Sequence, residues 1–287
     1  MPDNETRFYE LGGLGVRIDC PPFEETSYMS PFRCAPREAE LDYTVRVVKE
    51  PVLHGTTLLY RGSFEEIYDA PIGRTRAVFA HGTGNKSSLL FADEDKGGGR
   101  HNVYFAERYL KYLGTNAVLS MLDIPRRLAA CGGVVLHAAY VDVGGRAILF
   151  TAPKQTGKST QAHLWERHRG AFVVNGDRAA LRKTDGVWHA CGLPYCGTSR
   201  VCHNRTLPVC ALVILSQAHA CTARPALARE AVAALLNGAT YDVWDDAQVK
   251  KVLCAAEDIF GSLSVLHLAC TPDISAVAAL EQALARI

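Results

Sequence analysis

The chain predicts an α/β fold with a β-rich amino-terminal region, and three observations carry that expectation. Short alternating strands fill the first 112 residues. Beyond them, apolar runs of strand length interleave with helical spacings. One of those runs, residues 147–151 (AILFT), feeds directly into a turn of P-loop form that opens a helix. The expected division is residues 1–112, β-rich, and 113–287, a nucleotide-binding α/β region.

The turn itself is residues 152–159, APKQTGKS, with Ala152 where the first glycine of the pattern usually stands. Successive backbone N–H groups in such a turn face an anion, and the helix that follows points its positive end to the same place. Gly157 supplies the tight bend. Lys158 brings a mobile charge to phosphates, and the Ser159 hydroxyl suits the shell of a Mg²⁺ ion. Lys154, Gln155, Thr156, Gly157, Lys158, Ser159 and Thr160 are therefore the expected nucleotide contacts.

Downstream, residues 171–174 (AFVV) read as a buried strand ending in Asn175-Gly176-Asp177. An Asn-Gly-Asp run by itself reads as a turn. Nineteen positions beyond Lys158, at the end of a buried strand, Asp177 also has the place of a second Mg²⁺ ligand. Upstream, His137 interrupts the apolar strand 134–143, which is joined to residues 147–151 by a turn at Gly144-Gly145. A strand histidine is most often a satisfied core or surface residue. Beside a phosphate-binding turn it is also a candidate base for a hydroxyl proton.

Composition narrows the classes. With Lys plus Arg at 31 and Asp plus Glu at 30, no basic excess points to nucleic acid. The opening lacks a basic-then-apolar leader, and no apolar run reaches spanning length, so a cytoplasmic protein without a membrane partner is expected. Ten cysteines lie at irregular spacings and read as reduced thiols rather than a disulfide framework. The cluster His189, Cys191, Cys196, Cys202, His203 has ligand types but no C-x-x-C pair.

In the first region, residues 8–11 and 15–18 form an expected hairpin, followed by strands at 43–48, 58–61, 75–79, 88–91 and 103–105. Residues 93–100 (DEDKGGGR) read as a loop. Val118 to Leu128 recur at helical spacing, predicting one helix up to Cys131, where Gly132-Gly133 stops it. The loop 192–200 (GLPYCGTSR) offers Arg200, and Arg205 follows; either is a candidate brace for a phosphoryl group, or a solvated surface cation. Residues 208–215 and 264–269 are further strands, and 225–236, 246–259 and 274–287 helices. Trp165 and Trp244 read as core aromatics before adenine platforms.

The order Leu-His-Ala, strand turn, Gly-Lys-Ser-Thr turn and strand ending in Asp resembles HPr kinase/phosphorylase, within the superfamily of phosphoenolpyruvate carboxykinase. The spacing of 21 positions from His137 to Lys158 matches that kinase's catalytic His and loop Lys. The resemblance spans roughly residues 113–217. The whole chain looks more like small HPr-kinase-related proteins carried near peptide-modification genes, which share the LHAA, GKSTQA-LW and NGDRA-L stretches. The resemblance implies a P-loop core of the HPr kinase C-terminal and carboxykinase type, using ATP and Mg²⁺, with a peptide, protein or small-molecule hydroxyl as acceptor. Lys158 and the turn amides would bind phosphate, Ser159 and Asp177 the metal, and His137 the acceptor's proton. Homo-oligomers are compatible with it. Two departures stand out: Gly176 replaces the first of two aspartates, and the acceptor-type serine of the loop is gone near Lys154. A nucleotide-binding partner module without turnover is therefore the competing reading, with a carboxykinase behind it. The β-rich first region is expected to select the acceptor.

Overall fold

A computed structural model describes residues 3–79 and 88–286 of the chain. They group into two compact units, residues 1–10 with 14–123, and residues 11–13 with 124–287. The boundary falls at 123/124 rather than at 112/113. The reason is the helix α1 (Thr115–Met121). Its Thr115 hydroxyl accepts from the Thr26 amide, and its Ser120 carbonyl accepts from Arg76, so it packs within the first unit.

In the first unit, β1 (Glu5–Leu11), β2 (Leu14–Cys20), β3 (Leu41–Val48), β4 (Thr57–Arg61), β5 (Glu65–Ala70), β6 (Gly73–Phe79), β7 (Ser88–Asp95) and β8 (Arg100–Ala106) form one sheet. Its order is β1-β2-β3-β8-β7-β6-β5-β4. Period-2 burial builds its core: Leu41, Tyr43 and Val45 on β3 face inward with Val103 and Phe105 on β8. Residues 65–70 (EEIYDA) are a strand despite three acids, because β5 is paired on both sides. One expectation is corrected. The expected loop 93–100 shrinks to residues 96–99, since Asp93 and Glu94 are buried inside β7, accepting from the Thr75 hydroxyl (2.6 Å) and the Arg74 guanidinium (2.7 Å).

Beyond residues 11–13, the first element of the second unit is α2 (Ile124–Ala130). The single helix expected up to Cys131 is thus two, broken where Leu122 turns extended (ψ 133°) ahead of Ile124-Pro125. Then come β9 (Val134–Val143), β10 (Arg146–Thr151), α3 (Lys158–Arg169), β11 (Phe172–Asn175), β12 (Arg178–Thr184), β13 (Val187–Cys191), β14 (Thr206–Gln217), β15 (Thr222–Pro225), α4 (Ala228–Gly238), β16 (Ala239–Thr240), α5 (Asp246–Ser262), β17 (Val265–Cys270) and α6 (Ile274–Leu284). Ile287, the last residue of the expected closing helix, lies outside the described residues. The strands run β10-β9-β12-β13-β14-β17-β15, with β11 and β16 also paired to β9. Because β10 pairs in addition with β14, strands β10, β9, β12, β13 and β14 close a circuit.

Two features of this mixed α/β unit place chemistry. β9 is paired on both edges: on one, Val134–His137 pair with β12 and Tyr140, Val141 and Asp142 with β11; on the other, Ala138–Val143 pair with β10. And β10, β14 and β17 are mutually parallel, so their carboxyl ends share one edge. Helices cover both faces of these strands, which is why β10 reads as an unbroken apolar run. Ile148 and Phe150 pack with Trp165 of α3 and Leu280 of α6. Ala147 and Leu149 pack with Leu235 of α4 and Ile259 of α5. Trp165 is thereby a core residue. No helix among the described residues is long and apolar enough to cross a membrane.

His101 of the first unit is 4 % exposed and stacks on Tyr43, ring centroids 4.2 Å apart. Burial pushes its pKa below the ordinary 6.5, while Glu94, Asp123 and Asp95 pull upward against it. The unfolded chain therefore binds this proton first. Stability present above pH 6.5 is lost as pH falls toward the folded value, at no more than about 1.4 kcal/mol per pH unit. Urea denaturation at pH 7 and pH 5 should show a larger loss in the wild type than in His101→Phe, which keeps the stack but carries no proton.

Candidate functional site

The turn between β10 and α3 folds as its residue types require. Gly157 has φ +116°, a region that disfavours any Cβ, and Gln155 adopts φ +63°. No side chain caps the N-terminus of α3. Its first amides are consequently uncommitted, and the helix dipole adds positive potential there. At the other end, Gly170 in the left-handed region closes the helix onto Trp165 and Glu166 carbonyls. Lys158 is 7 % exposed, and its Nζ donates to the carbonyls of Ala152 (2.9 Å) and Pro153 (3.2 Å). Burial lowers its pKa, Asp177 works against that, and Lys154 adds to it.

Opposite this turn lies the point where the segment paired to β9 passes from β11 to β12. His137 is registered with Arg178 of β12, and the next amide, Ala138 N–H, donates to the Asp177 carbonyl (3.0 Å). The result sets His137 Nδ1 3.3 Å from Asp177 Oδ1. Burial, the largest cause, and Lys158 push the His137 pKa below its ordinary value; Asp177 opposes them, and Arg178 and Lys154 reinforce them. The imidazole is therefore neutral at pH 7, with the nitrogen away from Asp177 free to accept a proton. Arg178 Nε approaches the other Asp177 oxygen at 3.5 Å.

Together these groups line a cleft of about 530 Å³: His137, Lys154, Gln155, Gly157, Lys158, Ser159, Thr160 and Asp177, with Gly176, Gly197 and Ser199. That size is within the ~300–1,000 Å³ usual for small-ligand sites. Thr156 instead lines a neighbouring cavity. Of the two candidate arginines, neither lines the cleft. Arg205 is paired with Asp142 and stacked 4.0 Å over the Phe172 ring, at the far end of β9. Arg200 is an exposed left-handed residue just after Ser199. Among the described residues, no three His, Cys, Asp or Glu side chains converge on a metal position, the His189 to His203 cluster included.

Two contributions escaped the sequence. Asn175 is fully buried; its Oδ1 accepts from the amides of Asp177 (2.8 Å) and Arg178 (3.0 Å), while its Nδ2 donates to the Leu193 and Tyr195 carbonyls. It holds the Asp177 backbone in place; the Asn-Gly-Asp turn was its visible signal. The second is the loop carrying Gly197 and Ser199. A Cβ on Gly197 (φ +52°) would sit 2.8 Å from the Asp177 carboxyl carbon, and one on Gly176 would sit 2.6 Å from Ser199 Oγ. With Ser199 where it stands, the close approach leaves no room for a side chain at position 176.

No curated protein matches the chain in sequence. Among solved structures, the Hpr(Ser) kinase/phosphatase from Coxiella burnetii matches at 17% identity and a TM-score of 0.23. The match covers 29% of this chain and 65% of that one, so the chain spans less than two thirds of its solved relative. The family described as SynChlorMet cassette protein ScmC matches residues 110–260, more than half of the 287 residues. The chain belongs to the ScmC family of SynChlorMet cassette proteins.

Proposed function

We propose that the cleft is a P-loop site that binds a nucleoside triphosphate and transfers its γ phosphoryl group to a hydroxyl. The observation that carries this reading is the imidazole of His137 standing 3.3 Å from Asp177 on the wall facing Lys158 and Ser159. A base, a carboxylate, a buried cation and an uncapped helix N-terminus converge on one cleft, and phosphoryl transfer needs that combination.

In this reading the amides of Gln155 to Ser159 cradle the phosphates, and Lys158 leaves the Ala152 and Pro153 carbonyls to meet them. The donor set fits a hard cation that keeps most of its shell as water and phosphate oxygen. Ser159 and Asp177 would hold Mg²⁺, which when bound neutralises charge developing on the phosphates. His137 takes the proton of the acceptor hydroxyl on the nitrogen turned away from Asp177. The hydroxyl oxygen bonds to the γ phosphorus as the bond to the bridging oxygen breaks, releasing the nucleoside diphosphate. Asp177 orients the imidazole and stabilises its positive charge afterwards. We assign the acceptor to the hydroxyl class, a peptide serine foremost, and its recognition to the β-rich first unit.

The lone carboxylate favours a second reading, a nucleotide-binding module without turnover. Incubation with γ-labelled ATP, Mg²⁺ and candidate peptides separates the two, because transfer of label to a serine occurs only in the first. His137→Ala should lower that transfer by roughly 10²–10⁴ with nucleotide binding retained; an undiminished rate removes His137 as the base. Gly197→Ala should cost on the order of 1 kcal/mol in stability from its left-handed backbone. Because the new methyl displaces Asp177, transfer should fall further than the thermal melt accounts for; a loss explained by unfolding alone contradicts the placement of that carboxylate.

A further inference from the structure

A second cavity of about 540 Å³ opens on the other side of the same turn and shares Gln155, Gly157 and Thr160 with the phosphate cleft. It is built at the carboxyl edge of the parallel strands: Gln217 ends β14 and Ala218 and His219 follow it, and Thr271 and Pro272 follow β17. Ligands of open α/β sheets bind at such an edge. The two cavities meet at the turn, and Gln217 Nε2 reaches the Gln155 carbonyl at 3.3 Å where they adjoin.

The residue that gives this cavity a chemistry is Gln161, one of its lining side chains, in the first turn of α3 and 2 % exposed. Its backbone amide is anchored to the Gly157 carbonyl (2.9 Å), and its Nε2 is directed at the Cys270 sulfur (3.3 Å). Its Oε1 is buried without a hydrogen-bond partner. A buried unsatisfied amide oxygen is costly, and folded proteins seldom keep one without a role. The missing partner is a hydrogen-bond donor, and a ligand's N–H in the cavity that Gln161 lines can supply it once the side-chain amide rotates to turn Oε1 toward it.

We infer that this cavity takes the base of the nucleotide, and that Gln161 Oε1 accepts from its exocyclic amino group. This rests on the phosphate reading of the adjoining cleft and adds to it a discriminating contact. Adenine and guanine both carry such an amine, and their deaminated counterparts do not.

Isothermal titration of the full chain tests it, using Mg-complexed ATP, GTP, purine riboside triphosphate (adenine without its amine), inosine triphosphate (guanine without its amine) and inorganic tripolyphosphate. At least one amino-bearing nucleotide should bind roughly tenfold more tightly than its deaminated partner, the scale of one hydrogen bond to a buried acceptor. Gln161→Leu should erase that difference and leave tripolyphosphate affinity unchanged. Equal affinities within both pairs on the wild type overturn the inference, and that arm does not depend on any variant folding. Should tripolyphosphate fail to bind, the phosphate reading falls. Adenosine and guanosine titrated alone then decide the base cavity: binding lost in Gln161→Leu upholds it, and no binding refutes it.

Discussion

The hydrogen bond from the Ala138 amide to the Asp177 carbonyl is the constraint on which the cleft depends. It sits where the segment paired to one edge of β9 passes from β11 to β12, while β10 runs along the other edge. There His137 stands beside Asp177 and lines the same cleft as the start of α3. Asn175 completes the arrangement with four bonds from one fully buried side chain, the pattern expected of a buried amide that is satisfied on both its donor and acceptor sides.

Electrostatics follow from this geometry. Burial first, and then the charges of Lys158, Arg178 and Lys154, hold the His137 pKa below its ordinary value although Asp177 opposes them. The same imbalance leaves the cleft short of negative charge, which an anionic ligand would supply. Lys158 meanwhile rests on backbone carbonyls of its own loop, partners of a strength that a phosphate oxygen surpasses, since charge-assisted bonds between two ions are the stronger kind.

The local part of this arrangement was legible in the sequence. Residues 147–151 are apolar on both faces because helices cover both, and the Gly-Lys pair at 157–158 marks where strand gives way to helix. The strands β5, β12 and β13 were not legible: charged residues such as Glu65, Glu66, Arg182 and Lys183 obscure the apolar alternation, and it is the pairing to neighbouring strands that makes these segments extended. Arg205 illustrates the same limit. A guanidinium near a turn advertises a phosphate contact equally well whether or not a carboxylate 63 residues away has already claimed it, as Asp142 has. The second cavity was out of reach for a related reason, being assembled from the ends of three strands that only the sheet register brings together.

The tautomer and charge of His137 test the central claim most directly, and ¹⁵N-resolved NMR of the imidazole reads both. The account predicts a neutral ring at pH 7, protonated on Nδ1 toward Asp177, whose free nitrogen shifts when Mg-ATP is added. A ring protonated at pH 7, or one carrying its single proton on Nε2 and indifferent to Mg-ATP, would contradict it.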